Sequence, residues 1–281
     1  MAVLVNPPCV IFEDDHLLVV NKPPGWNTHS PAPYAGEGIY EWLKNREPRW
    51  ARLAIIHRLD KETSGVLVFS KTPEGNRSLT QQFDARKVRK EYVLHALRPP
   101  PQPKLVIRSK LKRDGDRYVS AATGVEAETE FEVIGESARS KVILARPKTG
   151  RTHQIRVHAA DNGFPIDGDK LYGGAPNHRL CLHARRLEFA HPTSGEILTF
   201  EAAQNFDQPP WAALRAAIIS EDETDAYRHL HGAGDGYPEL FVDRLGEYAL
   251  AQSPKTLSGS QWQMIADFCD RRGFYEKITT P

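Results

Sequence analysis

The chain has 281 residues, which allows one large domain, or one domain with part of a second. Its net charge is only +1, so any nucleic-acid-binding face must be a local feature of the surface. The cysteines Cys9, Cys181 and Cys269 have no paired spacing, which argues against a disulfide framework and a zinc site. No apolar run approaches the ~20 residues of a membrane span, and no signal-peptide pattern opens the chain. We therefore expect a reducing, cytoplasmic setting.

The first part of the chain predicts a β-hairpin followed by a short helix. Apolar runs at 10–13 and 16–21 lie on either side of an acidic pair and are typical of two antiparallel strands. The Lys22-Pro23-Pro24-Gly25 segment then ends the second strand. Residues 36–46 place apolar side chains at helical spacing, which predicts an amphipathic helix.

The segment 57–65, with the sequence His-Arg-Leu-Asp-Lys-Glu-Thr-Ser-Gly, is the one around which the rest is organised. Apolar runs at 53–56 and 66–69 flank it, so it reads as a polar turn between two buried arms. This arrangement would hold the carboxylate of Asp60 in a cleft on a rigid base. The simpler alternative is that Asp60 only accepts hydrogen bonds from turn backbone.

The middle of the chain predicts a helix and several antiparallel strands. Thr72 and Pro73 are typical of a helix N-cap and first turn, with the helix extending to about residue 85. A basic run at 86–90 leads into a predicted strand at 91–97. Such runs are most often solvated, and contact with phosphate is the second interpretation. Strict alternation near 126–133 predicts a half-buried strand paired with another at 141–145.

A second polar motif begins at Pro147. We expect Thr152 to cap a helix that ends near 162–163, with Arg151 just before its first turn. A helix N-terminus and an adjacent guanidinium both favour a nearby carboxylate. Further on, residues 180–191 and 197–202 predict a hairpin, and residues 211–219 a closing helix.

The motifs together resemble the RluA class of RNA pseudouridine synthases. The central match is His-Arg-Leu-Asp-x-x-Thr-Ser-Gly at 57–65, and it extends over about residues 9–203. Three further matches occur in the right order: Val-Asn-Lys-Pro-Pro-Gly at 20–25, Lys-Glu-Tyr at 90–92 and Lys-Thr-Gly-Arg-Thr-His-Gln-Ile-Arg-Val-His at 148–158.

This resemblance implies an α+β fold, with a mixed, largely antiparallel sheet and an active-site cleft across its face. It implies an isomerase that converts specific uridines of structured rRNA or tRNA to pseudouridine, with no cofactor and no metal. In that class an aspartate is the essential catalytic group, an arginine lies against it, and a tyrosine lies against the uracil ring. The resemblance therefore assigns catalytic roles to Asp60, Tyr92 and Arg151, and RNA-binding roles to Arg58, Lys22, His57 and Lys90.

Residue alternation gives separate support for one of these roles. Arg58 and Asp60 are two positions apart in an extended segment, so both side chains should face the same site. By resemblance, Arg58 fills the space left by a flipped uridine or holds the flipped nucleotide, because a stacked base is inaccessible. Sequence alone leaves open whether Asp60 attacks the sugar C1′ directly or assists a glycal intermediate.

An acidic segment at 221–225 marks a change in the chain. We place a catalytic domain at 1–219 and a second, partial α+β module at 220–281. The second module, with Val-Asp-Arg at 242–244 and Gly246, resembles the region ahead of the catalytic domain in S-adenosylmethionine-dependent RNA methyltransferases. No Gly-rich cofactor loop follows, so we expect part of a module from a truncated chain or a longer fusion.

Two rival functions remain at this point. One is a non-catalytic RNA-binding module or chaperone, which would not need Asp60, Tyr92 and Arg151 together. The other is a bifunctional enzyme whose methyltransferase half lies beyond residue 281. For the main reading we expect RNA as the partner, no DNA, no membrane and a monomer.

Overall fold

The computed structural model describes residues 6–32, 38–268 and 272–279. It divides into a large unit, Cys9–Asp207, and a small unit formed by residues from Gln208 onward together with residues 6–8. The division falls earlier than the expected boundary at 219/220. The reason is that Trp211 and Ala212, on the helix predicted at 211–219, belong to the hydrophobic core of the small unit.

The large unit is built on one 11-stranded sheet within the described residues. All its strand pairs are antiparallel except β4 with β10, so the expected mixed, largely antiparallel α+β fold is confirmed. The spatial order is β1-β2-β4-β10-β5-β9-β8-β6-β7, with β3 also beside β4 and β11 beside β10. In chain order the strands are β1 (Val10–Glu13), β2 (Leu17–Lys22), β3 (Ala54–Ile55), β4 (Ser64–Ser70), β5 (Arg89–Ala96), β6 (Lys104–Asp114), β7 (Arg117–Ser120), β8 (Val125–Ser137), β9 (Ser140–Pro147), β10 (Leu182–Ala190) and β11 (Ile197–Glu201).

Three α-helices pack against this sheet in the described part of the chain. They are α1 (Ile39–Arg46), α2 (Pro73–Asp84) and α3 (Gln154–Asp161). Buried side chains of α1 and α2 join two different core clusters, which contain alternate residues of β2 and β4. Every residue of β4 is therefore buried, which explains its unbroken apolar sequence.

The strand β10 lies between β4 and β5 and so joins the two halves of the sheet. Its Ala184 has Gly65 of β4 as neighbour on one side and Tyr92 of β5 on the other. Gly65 has a φ of +120°, and a Cβ there would lie 2.3 Å from the carbonyl oxygen of Ala184. Only glycine fits this close approach. The turn carrying Asp60 is thereby brought beside the strand carrying Tyr92.

As far as the structure describes it, the small unit has a separate four-stranded sheet and two α-helices, α4 (Pro210–Ile218) and α5 (Gly259–Phe268). Its core packs Trp211 of α4 and Ile265 of α5 against Leu230 and Val242 of the sheet. The parallel pair β14 and β15 is joined through α5, as a parallel connection requires. The elements are α4 (Pro210–Ile218), β12 (Ala226–His231), β13 (Phe241–Leu245), β14 (Tyr248–Ser253), α5 (Gly259–Phe268) and β15 (Gly273–Ile278), in the sheet order β12-β13-β14-β15.

Most predicted elements are present, and one helix start differs. The hairpins near 10–21 and 180–202 are confirmed, and Thr72 caps α2 by accepting a hydrogen bond from the Gly75 N–H. Thr152 was expected to cap α3, but the N-cap is His153 in a left-handed conformation, with φ of 55°. Cys269, one of the three cysteines of the sequence, lies outside the described residues.

Candidate active site

A cleft of about 910 Å³ opens over the middle of the large sheet. Its lining includes Asp60, Tyr92 and residues 147–156 of the second polar motif. Basic side chains outnumber acidic ones, which favours a polyanion such as RNA. The Lys and Arg residues in the described lining are Arg58, Lys61, Arg86, Lys90, Lys148, Arg151 and Arg156, and the carboxylates are Asp60 and Asp84.

The turn that carries Asp60 is fixed on both sides by buried polar side chains. Thr28 binds Leu59 twice, donating its hydroxyl to the carbonyl oxygen at 2.9 Å and accepting from the N–H at 3.1 Å. Lys22 donates to the carbonyl oxygen of Lys61 at 3.1 Å, and the N–H of Thr63 donates to the carbonyl of Asp60. The side chain of Asp60 keeps 25% of its surface exposed, so a rigid turn presents it to the cleft.

Lys22 is not positioned to bind RNA, as the resemblance had predicted that it would. Its side chain has no exposed surface, and its ammonium donates to the carbonyl oxygens of Pro23, Trp26 and Lys61. Burial lowers the pKa of Lys22 to about 7, opposed by the nearby carboxylates of Glu62 and Asp60. A fully buried ammonium with three carbonyl partners has no donor left for RNA. Lys22 instead joins the 23–26 segment to the Asp60 turn.

Arg156 is the cation that faces Asp60. Its Nη1 lies 3.6 Å from Oδ2 of Asp60, while Nε and Nη2 bind the buried carboxylate of Asp169 at 2.7 and 2.8 Å. Its guanidinium also lies 5.1 Å from the ring centroid of Tyr172. Burial alone would lower the pKa of Arg156, but the carboxylates raise it above its usual value. Arg156 is thus held charged beside Asp60.

Arg151 does not occupy the position that we predicted for it. It lies in the exposed segment before α3, where its Nε donates to the carbonyl oxygen of Glu126 at 3.2 Å. The pairing differs because Arg156 lies within α3, which packs against the sheet, whereas Arg151 precedes the helix at the cleft edge. A catalytic role for Arg151 stays a prediction, without the expected contact to Asp60.

Tyr92 lines the same cleft as Asp60. It projects from β5 between two core clusters, so its ring is held by packing. Burial, and then the negative charge of Asp60, raise the pKa of Tyr92 above its ordinary value. The phenol is therefore protonated at neutral pH and presents a flat ring with an O–H group.

His57 and Lys90 line the cleft in different surroundings. The ring of His57 stacks on Phe83 at 4.8 Å between centroids, and its Nε2 accepts the backbone N–H of Val68 at 3.3 Å. Burial lowers the pKa of His57 to about 3, so the ring is neutral. Burial and then Arg151 lower the pKa of Lys90 to about 8. Contact of either residue with RNA stays a prediction.

Arg58 is exposed, and both Arg58 and Asp60 line the cleft, in agreement with the expected shared face.

Sequence reasoning missed His153, Arg156, Asp169 and Tyr172 as site residues. A signal was present for Arg156, because a charged residue between Ile155 and Val157 on a short apolar helix needs a buried partner. Asp169 gave no local signal, since it lies in an irregular loop.

The comparisons with known proteins agree with this geometry. Residues 16–161 match the RNA pseudouridylate synthase family. "Ribosomal large subunit pseudouridine synthase C" of Yersinia pestis is 36% identical over 214 residues, which are 69% of this chain and 65% of the relative. The protein of the same name from Escherichia coli K12 is 38% identical over 210 residues, with the same shares. The chain thus spans slightly less than two thirds of the length of these relatives.

Two solved structures share the fold. "Human RNA Pseudouridylate Synthase Domain Containing 1" has a TM-score of 0.59 and 23% identity, covering 72% of this chain and 86% of that one. "Human RNA Pseudouridylate Synthase Domain Containing 4" has a TM-score of 0.57 and 23% identity, covering 70% and 88%. The fold and the site together show a large mixed sheet with a basic cleft, in which a carboxylate lies beside a buried guanidinium. The chain belongs to the RNA pseudouridylate synthase family.

Two features are absent from the described residues. None of the helices there is long and apolar enough to cross a membrane. No group of three or more His, Cys, Asp or Glu side chains in that part of the chain is arranged to hold a metal ion.

Proposed function

We propose that the protein is an RNA pseudouridine synthase that isomerises specific uridines in structured ribosomal RNA, with transfer RNA as the second candidate. The observation that carries the proposal is the partly exposed carboxylate of Asp60, held on a rigid turn 3.6 Å from the buried guanidinium of Arg156. The names of the relatives direct the proposal to large-subunit rRNA.

The reaction breaks the bond between uracil N1 and ribose C1′, turns the base and joins C5 to C1′. Asp60 either forms a bond to C1′ or assists a glycal intermediate, and both routes need an ionised carboxylate. Arg156 stabilises that charge inside a partly dehydrated cleft. Tyr92 lies against the uracil ring and is the candidate for handling the C5 proton.

Binding requires that the uridine leaves its stack and enters the cleft. Arg58, exposed beside Asp60, takes the place of the base or holds the flipped nucleotide. Lys90 and Arg151 lie along one edge of the cleft, where they contact the phosphate backbone. No cofactor is required. We further propose a cytoplasmic monomer that does not act on DNA.

Residues 220–281 are proposed to be part of a module that precedes a methyltransferase domain. The proposal rests on the Val-Asp-Arg segment in β13 and on the tight turn at Gly246, whose φ is 61°. The coding sequence after residue 281 tests it, since a Gly-rich cofactor loop should follow there.

The experiment on function is pseudouridine mapping of total RNA from cells with and without this gene. The purified protein is then added to RNA from the deletion strain, beside an Asp60→Asn variant. Recovery of a missing pseudouridine by the wild-type protein alone supports the proposal. A non-catalytic RNA-binding protein would give no missing pseudouridine, or one that neither purified protein restores.

A further inference from the structure

His153 lies beside Asp60 in the cleft, and the proposed reaction leaves it without a role. Its Nε2 is 4.0 Å from Oδ2 of Asp60, which is too long for a hydrogen bond and leaves the two groups facing the same space. The backbone of His153 has a φ of 55°, a left-handed conformation that is uncommon for residues other than glycine. Such strain at a cleft residue suggests a functional constraint.

The contacts of Tyr172 define which ring nitrogen of His153 carries the proton. The phenol oxygen of Tyr172 accepts the backbone N–H of Tyr118 at 2.9 Å and lies 2.9 Å from Nδ1 of His153. Within the described residues Nδ1 is the one acceptor recorded for the phenol O–H, so we assign Tyr172 as the donor to an unprotonated Nδ1. The proton of the neutral ring is then on Nε2.

The surroundings of His153 agree with this assignment. Burial lowers the pKa of His153, with Asp60 acting in the opposite direction, so the ring is neutral at pH 7. An Nε2–H directed to the carboxylate of Asp60 is favourable, whereas a lone pair there would be repelled. The ring is held by edge contacts with Tyr118 and Tyr172, at 5.6 and 5.7 Å between centroids. A fixed N–H donor therefore faces the place where Asp60 meets the substrate.

The reaction needs such a donor in its first step. When the bond between C1′ and N1 breaks, its electron pair goes to the uracil ring and spreads over N1 and the carbonyl oxygens. This holds whether Asp60 bonds to C1′ or takes the C2′ proton in a glycal route. Carbon C2, which carries O2, is bonded to N1, so O2 is the oxygen of the base closest to Asp60. A donor fixed beforehand at a developing negative charge is an effective form of catalysis.

We propose that His153 is a catalytic residue whose Nε2–H binds O2 of the flipped uracil and stabilises the base as an anion when the glycosidic bond breaks. His153 keeps its proton throughout, so the electron balance is that of the C1′–N1 bond alone. Tyr172 is the positioning residue that fixes the ring tautomer. This inference rests on the proposed function and adds a leaving-group contact to it.

The test combines protein variants with changes at single atoms of the target uridine. His153→Gly removes the side chain and tolerates the positive φ. The substrate is a synthetic RNA carrying the mapped site, with the target as uridine, 2-thiouridine or 4-thiouridine. Sulfur at C2 replaces the proposed acceptor by a weak one, while sulfur at C4 is the matched control. Single-turnover rates and RNA affinities are measured for all combinations.

The wild-type protein should lose rate with 2-thiouridine, and His153→Gly should be slowed about 100-fold on uridine with little change in RNA affinity. The rate losses caused by His153→Gly and by 2-thiouridine should not multiply when combined, because each change removes the same contact. The rate losses caused by His153→Gly and by 4-thiouridine should multiply, because those two changes are independent. His153→Gln should recover part of the rate, since its amide retains an N–H donor. Tyr172→Phe should show a smaller version of the same non-additivity.

Two other outcomes would contradict the inference or the proposed function. If His153→Gly adds fully to 2-thiouridine as well as to 4-thiouridine, His153 does not contact O2 and the inference is wrong. The activity of the wild-type protein on unmodified uridine is measured before any variant. If the wild-type protein forms no pseudouridine there, the proposed function is wrong. Circular dichroism melts of each variant separate loss of the contact from loss of the fold.

Discussion

The guanidinium of Arg156 stands 3.6 Å from the carboxylate of Asp60, while its shorter bonds, at 2.7 and 2.8 Å, go to Asp169. Asp169 is buried and also accepts the backbone N–H groups of Leu171 and Tyr172. The guanidinium is therefore fixed by Asp169 and only faces Asp60. The carboxylate of Asp60 gains a positive neighbour but is not locked in a short ion pair, so it remains able to move toward a substrate.

Asp60→Asn should abolish pseudouridine formation while the melting temperature and RNA affinity stay close to those of the wild type. The substitution keeps the shape of the side chain and removes the charge that the reaction needs. The measurement is single-turnover pseudouridine formation with parallel RNA-binding and melting curves. Wild-type turnover by Asp60→Asn would remove Asp60 from the chemistry.

Arg156→Gln should cost far more than Arg151→Gln in stability and activity. The first leaves the buried carboxylate of Asp169 without its cation, a loss of about 3–5 kcal/mol in the free energy of unfolding. The second removes one exposed hydrogen bond, for which we expect about 0–1 kcal/mol. Urea unfolding and single-turnover assays compare the two directly. Equal loss of rate in both variants, with Arg151→Gln fully folded, would restore Arg151 as the catalytic cation.

RNA affinity should fall as the pH rises through about 8, because the pKa of Lys90 lies near that value. Below it the ammonium is charged and attracts phosphate, and above it the neutral amine does not. Lys90→Arg should remove the decline, because arginine stays charged. Lys148→Arg, at an exposed lysine of the same cleft, is the matched control and should leave the decline in place. A decline that persists unchanged in Lys90→Arg excludes Lys90 as its source.

Gly65→Ala should strongly destabilise the large unit and lower activity. Its Cβ would meet the Ala184 carbonyl oxygen at 2.3 Å, so β4 must move away from β10. Gly195→Ala is the control, since Gly195 also has a positive φ, of 73°, but nothing within 4 Å of its Cβ position. We expect about 1 kcal/mol for the control and clearly more for Gly65→Ala. Similar urea midpoints for the two variants would show that the approach of β4 to β10 is not tight.

A chain shortened to end at Asp207 should fold and keep its activity on a minimal RNA. The division at 207/208 predicts this, because Trp211 and Ala212 complete the core of the small unit. A chain ending at Ile219, our sequence-based boundary, would keep α4 without its partners and expose Trp211. Limited proteolysis with mass spectrometry, melting curves and an activity assay make the comparison. A chain ending at 207 that cannot fold, beside a stable one ending at 219, would return α4 to the large unit.

Local patterns in the sequence predicted the strands and the polar turn that carries Asp60, whereas the α+β fold class and the catalytic role of Asp60 were implied by the family resemblance. The period-two alternation of β8 and the polar turn between two apolar arms are visible within a few residues. The partner of Asp60 depended instead on three-dimensional packing. Arg151 and Arg156 lie in one motif, and only the docking of α3 on the sheet shows which of them faces Asp60. The burial of Lys22 was equally hidden, since its three carbonyl partners come from two separate segments.

The position of β10 along the chain has a consequence for biosynthesis. Its residues 182–190 separate the strands that carry the two walls of the cleft, and its His183 bonds to Ser64, 119 positions earlier. During translation the segments holding Asp60 and Tyr92 leave the ribosome long before the strand that joins them. Non-local pairing of this kind is slow, because the intervening loop must first close. The cleft of the nascent chain therefore cannot be complete until most of the large unit has emerged from the ribosome.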